Sequence, residues 1–348
     1  MAIEAFACKI AAESRRDSKN TDSQTDFMSN PIKKLIIDLD PGIGDSLAVA
    51  IALNDPTLDV VGLTAVAGCV SPRNATLNLQ RIVEQIDPVK WPRLGSAPAL
   101  ASGREDLAPL DLGCLSPLNG ASGLGETDFP VAELHHRHEA AKLLVDLVRN
   151  DPHQVTLVTL GPLTNVAAAC ERMPEFLGTL AGLVCLGGTI DDPGDITPVA
   201  ELNFYVAPEA ARQVLNTPAT TLLVPTDTAR STVMTFEHLS TISDRNDSRT
   251  VALLQRLLPY ALRSHHHYLG VEGIPLREVV ALAAAARPQL FKTQAMRVDV
   301  ELRGELTRGM TVFDRRHIPG WRSNIEVAVE ADSRGILEYV LSTLKQSV

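Results

Sequence analysis

From Lys33 onward, short runs of β-branched and aliphatic residues alternate with longer stretches of helical spacing, and this rhythm constrains the fold most. Strands are expected at 34–40 (KLIIDLD), 58–66, 154–160, 180–188, 220–225, 296–302 and 325–330. Helices are expected at 46–53, 73–86, 131–149, 163–170, 208–215, about 250–264, 275–286 and about 333–345. Strands separated by helices join in parallel, because the chain must cross over the sheet before it can run the same way again. No repeat or linker divides residues 33–348. The expectation is therefore a single α/β domain over 31–348, with a mostly parallel, Rossmann-like central sheet flanked by helices. Residues 1–30 contain the polar stretch SRRDSKNTDSQTD and read as a disordered tail, with Met28 just before the first strand as a possible start.

Ligands of such sheets bind outside the carboxyl ends of the strands, so the polar residues there should share one chemistry. After the first strand come Asp38, Asp40 and Asp45, with Pro41-Gly42 making a tight turn between them. Carboxylates this close repel unless a cation or a proton sits among them. A helix N-terminus accounts for Asp45 alone. Oxygen donors without nearby His or Cys favour Ca²⁺ or Mg²⁺ over zinc. After the strand at 180–188 the loop GDITPVAELN carries Asp195, Glu201 and Asn203 ahead of a helix. The carbonyl of Leu160 closes the strand at 154–160, before the GPLTN turn, and Glu278 opens a late apolar helix.

Composition narrows the partners. A formal charge of −10 and a pI near 5.4 argue against a nucleic-acid surface or an anionic membrane. No apolar run reaches the roughly 18–20 residues needed to span a bilayer. The N-terminal MAIEAFACKIAA is too short and too acidic for a secretory signal. The five cysteines (Cys8, Cys69, Cys114, Cys170, Cys185) form no CxxC pair, which reads as reduced thiols in a cytoplasmic protein. A small molecule is left as the expected partner.

In this order, the segments resemble the inosine–uridine-preferring nucleoside hydrolase family. The family's opening DxDPGxDD reads here Asp38-Leu39-Asp40-Pro41-Gly42-Ile43-Gly44-Asp45. GPLTN (161–165), LGGTIDDPGDITPVAELNFYVAPEAA (186–211), ELTRGMTVFDRR (305–316) and NIEVAVEAD (324–332) are similar to its later blocks, so the likeness spans roughly 33–345. It implies calcium-dependent hydrolysis of the N-glycosidic bond of a ribonucleoside. Asp40, Asp45, the Leu160 carbonyl and Glu278 would hold Ca²⁺, and Asp40 would act as general base on a metal-activated water. Asp38 would support the cluster. Glu201, Asn203 and Asp195 would bind ribose hydroxyls, with Cys69 in the neighbouring substrate position. Members are often homodimers or homotetramers, and the same is expected here.

Four positions depart from the family pattern. Gly44 replaces the first acid of the DD pair, Cys69 an Asn and Asn119 a His. Arg277 replaces the His of a His-Asp pair, and that His is associated with protonating the leaving base. Arginine does not give up its proton near neutral pH, so Arg277 points to a leaving group needing no proton, or to a negatively charged substrate. Its other expected fate is to turn outward and pair with a neighbouring acid. Gly44 and Arg277 also favour an alternative, a re-purposed, non-catalytic member of the fold that binds a nucleoside or other sugar derivative. Of His265, His266 and His267, one at most can face a site on a helix. His135, His136 and His138 are expected exposed at a helix entry. Haloacid-dehalogenase-type phosphatases also begin with DxD, but they leave the Pro-Gly turn and ITPVAELN unexplained. Gly120, Gly123 and Gly125 do not form GxGxxG.

Overall fold

The computed structural model describes residues 32–98, 116–131, 138–243, 248–316 and 320–346. The proposed tail, Cys8, Cys114, His135 and His136 lie outside them. The strands are β1 (Lys33–Leu39), β2 (Leu58–Ala65), β3 (Arg93–Ser96), β4 (His138–Glu139), β5 (Val155–Thr159), β6 (Gly182–Leu186), β7 (Thr221–Val224), β8 (Val233–Met234), β9 (Ile274–Pro275), β10 (Phe291–Met296), β11 (Val298–Val300), β12 (Thr311–Phe313) and β13 (Ile325–Ala331). The principal helices are α1 (Ile43–Asn54), α2 (Pro72–Ile86), α3 (Ala140–Asn150), α4 (Thr164–Arg172), α5 (Leu202–Val206), α6 (Pro208–Asn216), α7 (Arg249–Leu269), α8 (Arg277–Ala286) and α9 (Ser333–Gln346).

Nine strands among the described residues form one sheet in the order β10-β13-β7-β6-β5-β1-β2-β3-β4. All neighbours pair in parallel except β10, which runs antiparallel to β13 at the edge. The alternation along β1 explains the layering. Leu35, Ile37 and Leu39 enter one apolar cluster with α1, α7 and α8, while Ile36 enters the other with α3, α4 and α6. A strand segment buried on both faces must be apolar throughout, as β1 is from Leu35 to Ile37, after the two half-buried lysines that open it. The order also fixes where a ligand belongs. From β1 the chain builds outward through β2, β3 and β4, then returns to β5 on the other flank and builds the opposite way. The β1/β5 boundary is the switch point of the sheet, and its carboxyl end is the binding crevice.

Several boundaries differ from those expected. The run 296–302 is two strands: Met296 ends β10, and Val298 starts β11 in a separate hairpin with β12. Asn324 makes the break, because its Oδ1 takes the Val298 N–H at 2.8 Å and its backbone N–H bonds Met296 O at 3.0 Å. The helix expected from 131 begins at Ala140, after the short strand β4, whose His138 is exposed as expected. β3 (RLGS) has no apolar run and was invisible to periodicity. α7 extends to Leu269, so it contains all three adjacent histidines.

Candidate active site

β1 and β5 deliver the first components side by side. Asp38 is wholly buried at the end of β1, where its Oδ1 accepts Thr64 Oγ1 at 2.5 Å and Asn165 Nδ2 at 2.7 Å. Among the described residues its Oδ2 has no partner, and burial raises its pKa to about 7 despite those two bonds. Asn165, the last residue of GPLTN, also holds Ala65 O at 2.9 Å, so this turn ties β1, β2 and α4 together. Asp40 follows, with Oδ2 accepting the Cys69 N–H at 2.9 Å. Its pKa rises to about 6, through burial first and repulsion from Glu278 second among the raising causes. Backbone crowds it closely: a Cβ on Gly68 would meet Asp40 Oδ2 at 2.2 Å, and one on Gly161 would meet Asp40 N at 2.9 Å.

Asp45 lies in the first turn of α1, and its Oδ2 accepts the Gly42 N–H at 3.1 Å. The other oxygen, Oδ1, is buried without a partner among the described residues. Burial, then repulsion from Asp40 and Glu278, pushes its pKa well up. A helix N-terminus should lower it, so desolvation and like charge outweigh the dipole here. Asn119, where the family commonly has His, takes the Ile43 N–H at 3.0 Å and so fixes the α1 entry. Asn78, buried on α2, donates to Pro41 O at 3.1 Å and Ser122 O at 2.7 Å, binding the Pro-Gly turn to the loop of Gly120, Gly123 and Gly125. Those glycines have φ of 74°, 88° and 66°, a left-handed conformation that L side chains rarely adopt.

The opposite wall comes from the segment after β6. Glu201 and Asn203 were expected on a loop; instead Glu201 caps α5 and Asn203 lies within it, because the Glu201 carboxylate accepts the Phe204 N–H at 3.4 Å. The same oxygen takes the Gly188 N–H at 3.0 Å. Burial, then repulsion from Asp195, raises the Glu201 pKa to about 7. Asn203 Nδ2 donates to Leu160 O at 2.9 Å and Leu186 O at 3.1 Å, bridging the ends of β5 and β6. Asp195 accepts the Leu202 N–H at 2.8 Å on Oδ1 and Arg277 Nη1 at 2.9 Å on Oδ2. Asp227 was not singled out in the sequence, yet it organises this segment. It accepts the N–H groups of Ile190, Asp191 and Asp192 at 2.7, 2.7 and 2.8 Å, and its pKa stays low even though burial opposes this. Three backbone donors at consecutive residues leave no trace in a sequence pattern.

α8 closes the site. Arg277 does pair with an acid, but inward rather than outward: its side chain is 26% exposed and reaches Asp195 at 2.9 Å and Glu278 at 3.8 Å. These acids raise its already high pKa. Asp40, Asp45, Cys69, Leu160, Glu201, Asn203, Arg277 and Glu278 line one cavity, with Asp195 behind Arg277 and Asp38 beneath Asp40. The Cys69 thiol turns to Asp40 O at 3.6 Å, and burial with the surrounding acids holds its pKa well up. A second, more apolar cavity adjoins, lined by Ile43, Leu47, Leu258, Ile274 and Leu276 with His265. Of the three adjacent histidines only His265 is half-buried; its Nδ1 contacts Ala261 O at 2.9 Å, and burial lowers its pKa.

Among the described residues, no three His, Cys, Asp or Glu side chains are gathered into a formed cation cage. The donor set nevertheless fits a hard cation. Asp40, Asp45, Glu278 and the Leu160 carbonyl offer oxygen, one of the atoms, on Asp45, is buried and unpartnered among the described residues, and repulsion from Glu278 helps to raise the pKa of Asp40 and Asp45.

Residues 35–338 match the inosine-uridine preferring nucleoside hydrolase family. The chain belongs to this family. Its relatives are ribonucleoside hydrolases, and the chain is an N-ribosyl hydrolase. The non-specific ribonucleoside hydrolase RihC of Salmonella schwarzengrund is 33% identical, with 88% of this chain and 95% of that protein covered. The pyrimidine-specific ribonucleoside hydrolase RihA of Escherichia coli is 30% identical, with 89% and 98% covered. The fold matches a purine-preferring ribonucleoside hydrolase from Gardnerella vaginalis with a TM-score of 0.82 at 24% identity, over 90% of this chain and 99% of that one. No helix among the described residues is long and apolar enough to cross a membrane.

Proposed function

We propose that this nucleoside hydrolase cleaves the N-glycosidic bond of a ribonucleoside in a calcium-dependent reaction, with Asp40 as general base. The observation that carries the reading is the buried, unpartnered Asp45 Oδ1 beside Asp40 and Glu278 at the switch point of the sheet. Asp40, Asp45, Glu278 and the Leu160 carbonyl would hold Ca²⁺, which when bound supplies the charge that orients sugar hydroxyls and makes water easier to deprotonate.

The chain's own groups divide the remaining work. Cys69 N–H fixes one oxygen of Asp40, leaving the other to accept a proton from the attacking water. Glu201 keeps one carboxylate oxygen, and Asn203 its amide oxygen, for ribose hydroxyls, while Asp195 completes that wall. The sugar gains positive charge as the base departs, so these carboxylates stabilise it more in the transition state than in the ground state. Arg277 lines both cavities and places a permanent positive charge between sugar and base. It hydrogen-bonds the negative charge developing on the base and donates no proton. The relatives' names include both non-specific and pyrimidine-specific enzymes, so the ribosyl group rather than one base is the shared substrate feature.

The reading extends to a homodimer or homotetramer in the cytoplasm, with support from the free thiols of Cys69, Cys170 and Cys185. Light scattering on the purified protein checks the assembly. The activity is tested by incubating the protein with common ribonucleosides, with calcium or chelator, and following free base by chromatography. Calcium-dependent base release is the expected result. Equal release in chelator sinks the calcium role, and no release from any ribonucleoside sinks the substrate class.

A further inference from the structure

Gly44 has no local reason to be glycine. It lies in the first turn of α1 and is not among the glycines with left-handed φ. In a helix, alanine is the better choice. The reason lies across the site. A Cβ on Gly44 would stand 2.2 Å from Glu278 Oε2, 2.6 Å from its Cδ and 3.1 Å from Oε1. The Glu278 carboxylate therefore lies directly over the Gly44 backbone, at the floor shared by the two cavities. On one side it reaches Arg277 at 3.8 Å, and on the other it faces Asp45, whose buried Oδ1 has no partner. Glutamate reaches this point from the first turn of α8 only because nothing projects from residue 44.

We propose that Gly44 is a positioning residue for Glu278: the bare backbone admits the carboxylate to the floor of the site, and a side chain at 44 excludes it. The two positions form a matched pair, in which one helix gives up a side chain so that the facing helix can supply the acid. The functional half of this inference rests on the calcium reading above; the steric half does not. The obstructing atoms are the far end of a flexible side chain, so a Gly44→Ala protein folds with Glu278 displaced rather than failing to fold.

The test is a double-mutant cycle of Gly44→Ala, Glu278→Ala and the pair, read by thermal unfolding without metal and by calorimetric titration with Ca²⁺. Non-additive shifts in Tm are expected, since alanine at 44 meets a carboxylate in one background and open space in the other. For Ca²⁺, Gly44→Ala should weaken affinity roughly tenfold or more. Glu278→Ala should weaken it comparably, and the double variant no further than Glu278→Ala alone. Additive Tm shifts, or an unchanged affinity in Gly44→Ala, overturn the pairing. A wild-type protein that binds no Ca²⁺ overturns the calcium reading instead, and the unfolding cycle then decides the pairing alone.

Discussion

α1 carries a buried carboxylate at each end, and the two are treated in opposite ways. Asp55 closes the helix at its C-terminus, where the dipole disfavours an anion, yet its pKa is lowered. Its oxygens accept Thr57 N–H at 2.9 Å, Thr57 Oγ1 at 2.7 Å, Arg287 Nη2 at 3.0 Å and Tyr339 OH at 2.7 Å. Asp45 sits at the favourable N-terminal end, yet its pKa is raised and one oxygen has no partner. The dipole predicts the reverse order. What separates the two is donor supply: Asp55 is saturated by groups that fasten α9 and the end of α8 to α1, and Asp45 is surrounded by other acids. A buried carboxylate with every lone pair filled belongs to the architecture; one left short is kept for something the fold does not contain.

The largest effect should come at the open end. Asp40→Asn keeps the fold and removes the base, so kcat for base release should fall roughly 10³-fold. A fall of less than tenfold would move the base elsewhere. At the saturated end, Asp55→Ala strands half-buried Arg287 and the Tyr339 hydroxyl, and urea unfolding should show a loss of about 2–3 kcal/mol. Activity at permissive temperature should be retained.

Asp45→Asn sharpens the contrast, because it removes a charge that the metal-free protein holds at a cost. The metal-free variant should melt higher than wild type. It should also lose the calcium stabilisation, about 2–3 kcal/mol at a hundredfold excess over Kd, as seen by differential scanning calorimetry. Glu201 gives the smallest signal. Its pKa is raised to about 7 from an ordinary 4.5, so its contribution to stability is full below about pH 4.5 and is lost as pH rises through 7. Glu201→Gln cannot ionise. Its Tm relative to wild type should therefore climb by the equivalent of roughly 1–2 kcal/mol between about pH 5 and 7. A flat difference would mean Glu201 is already ionised at pH 5.

Which residues gather in one cavity could be read from the chain, while their aim could not. Asp40, Asp45, Leu160, Glu201, Asn203 and Glu278 follow strands or open helices, and strand ends of a parallel sheet converge on one edge. Arg277 was harder, since outward and inward rotamers are equally compatible with the first turn of a helix. Only the fold brings Asp195 within 2.9 Å of it. Asn78, Asn119 and Asp227 bond to backbone far away in sequence, through groups every residue possesses, so no residue pattern announces them. The short strand β3, between β2 and β4, and the edge strand β10 escaped for a related reason. A strand with polar positions lacks the continuous apolar run of Leu35–Ile37 in β1.

Asn203 has one more consequence. Its amide nitrogen grips the Leu160 and Leu186 carbonyls; in the proposed reaction its oxygen would meet a ribose hydroxyl and the Leu160 carbonyl would hold calcium, so the two ligands would draw on the same side chain. Two ligands that share a mechanical part cannot titrate independently. Whatever factor a bound riboside applies to the affinity for calcium, calcium must apply to the riboside, and an inert riboside analogue titrated with and without the ion reads that factor from either side.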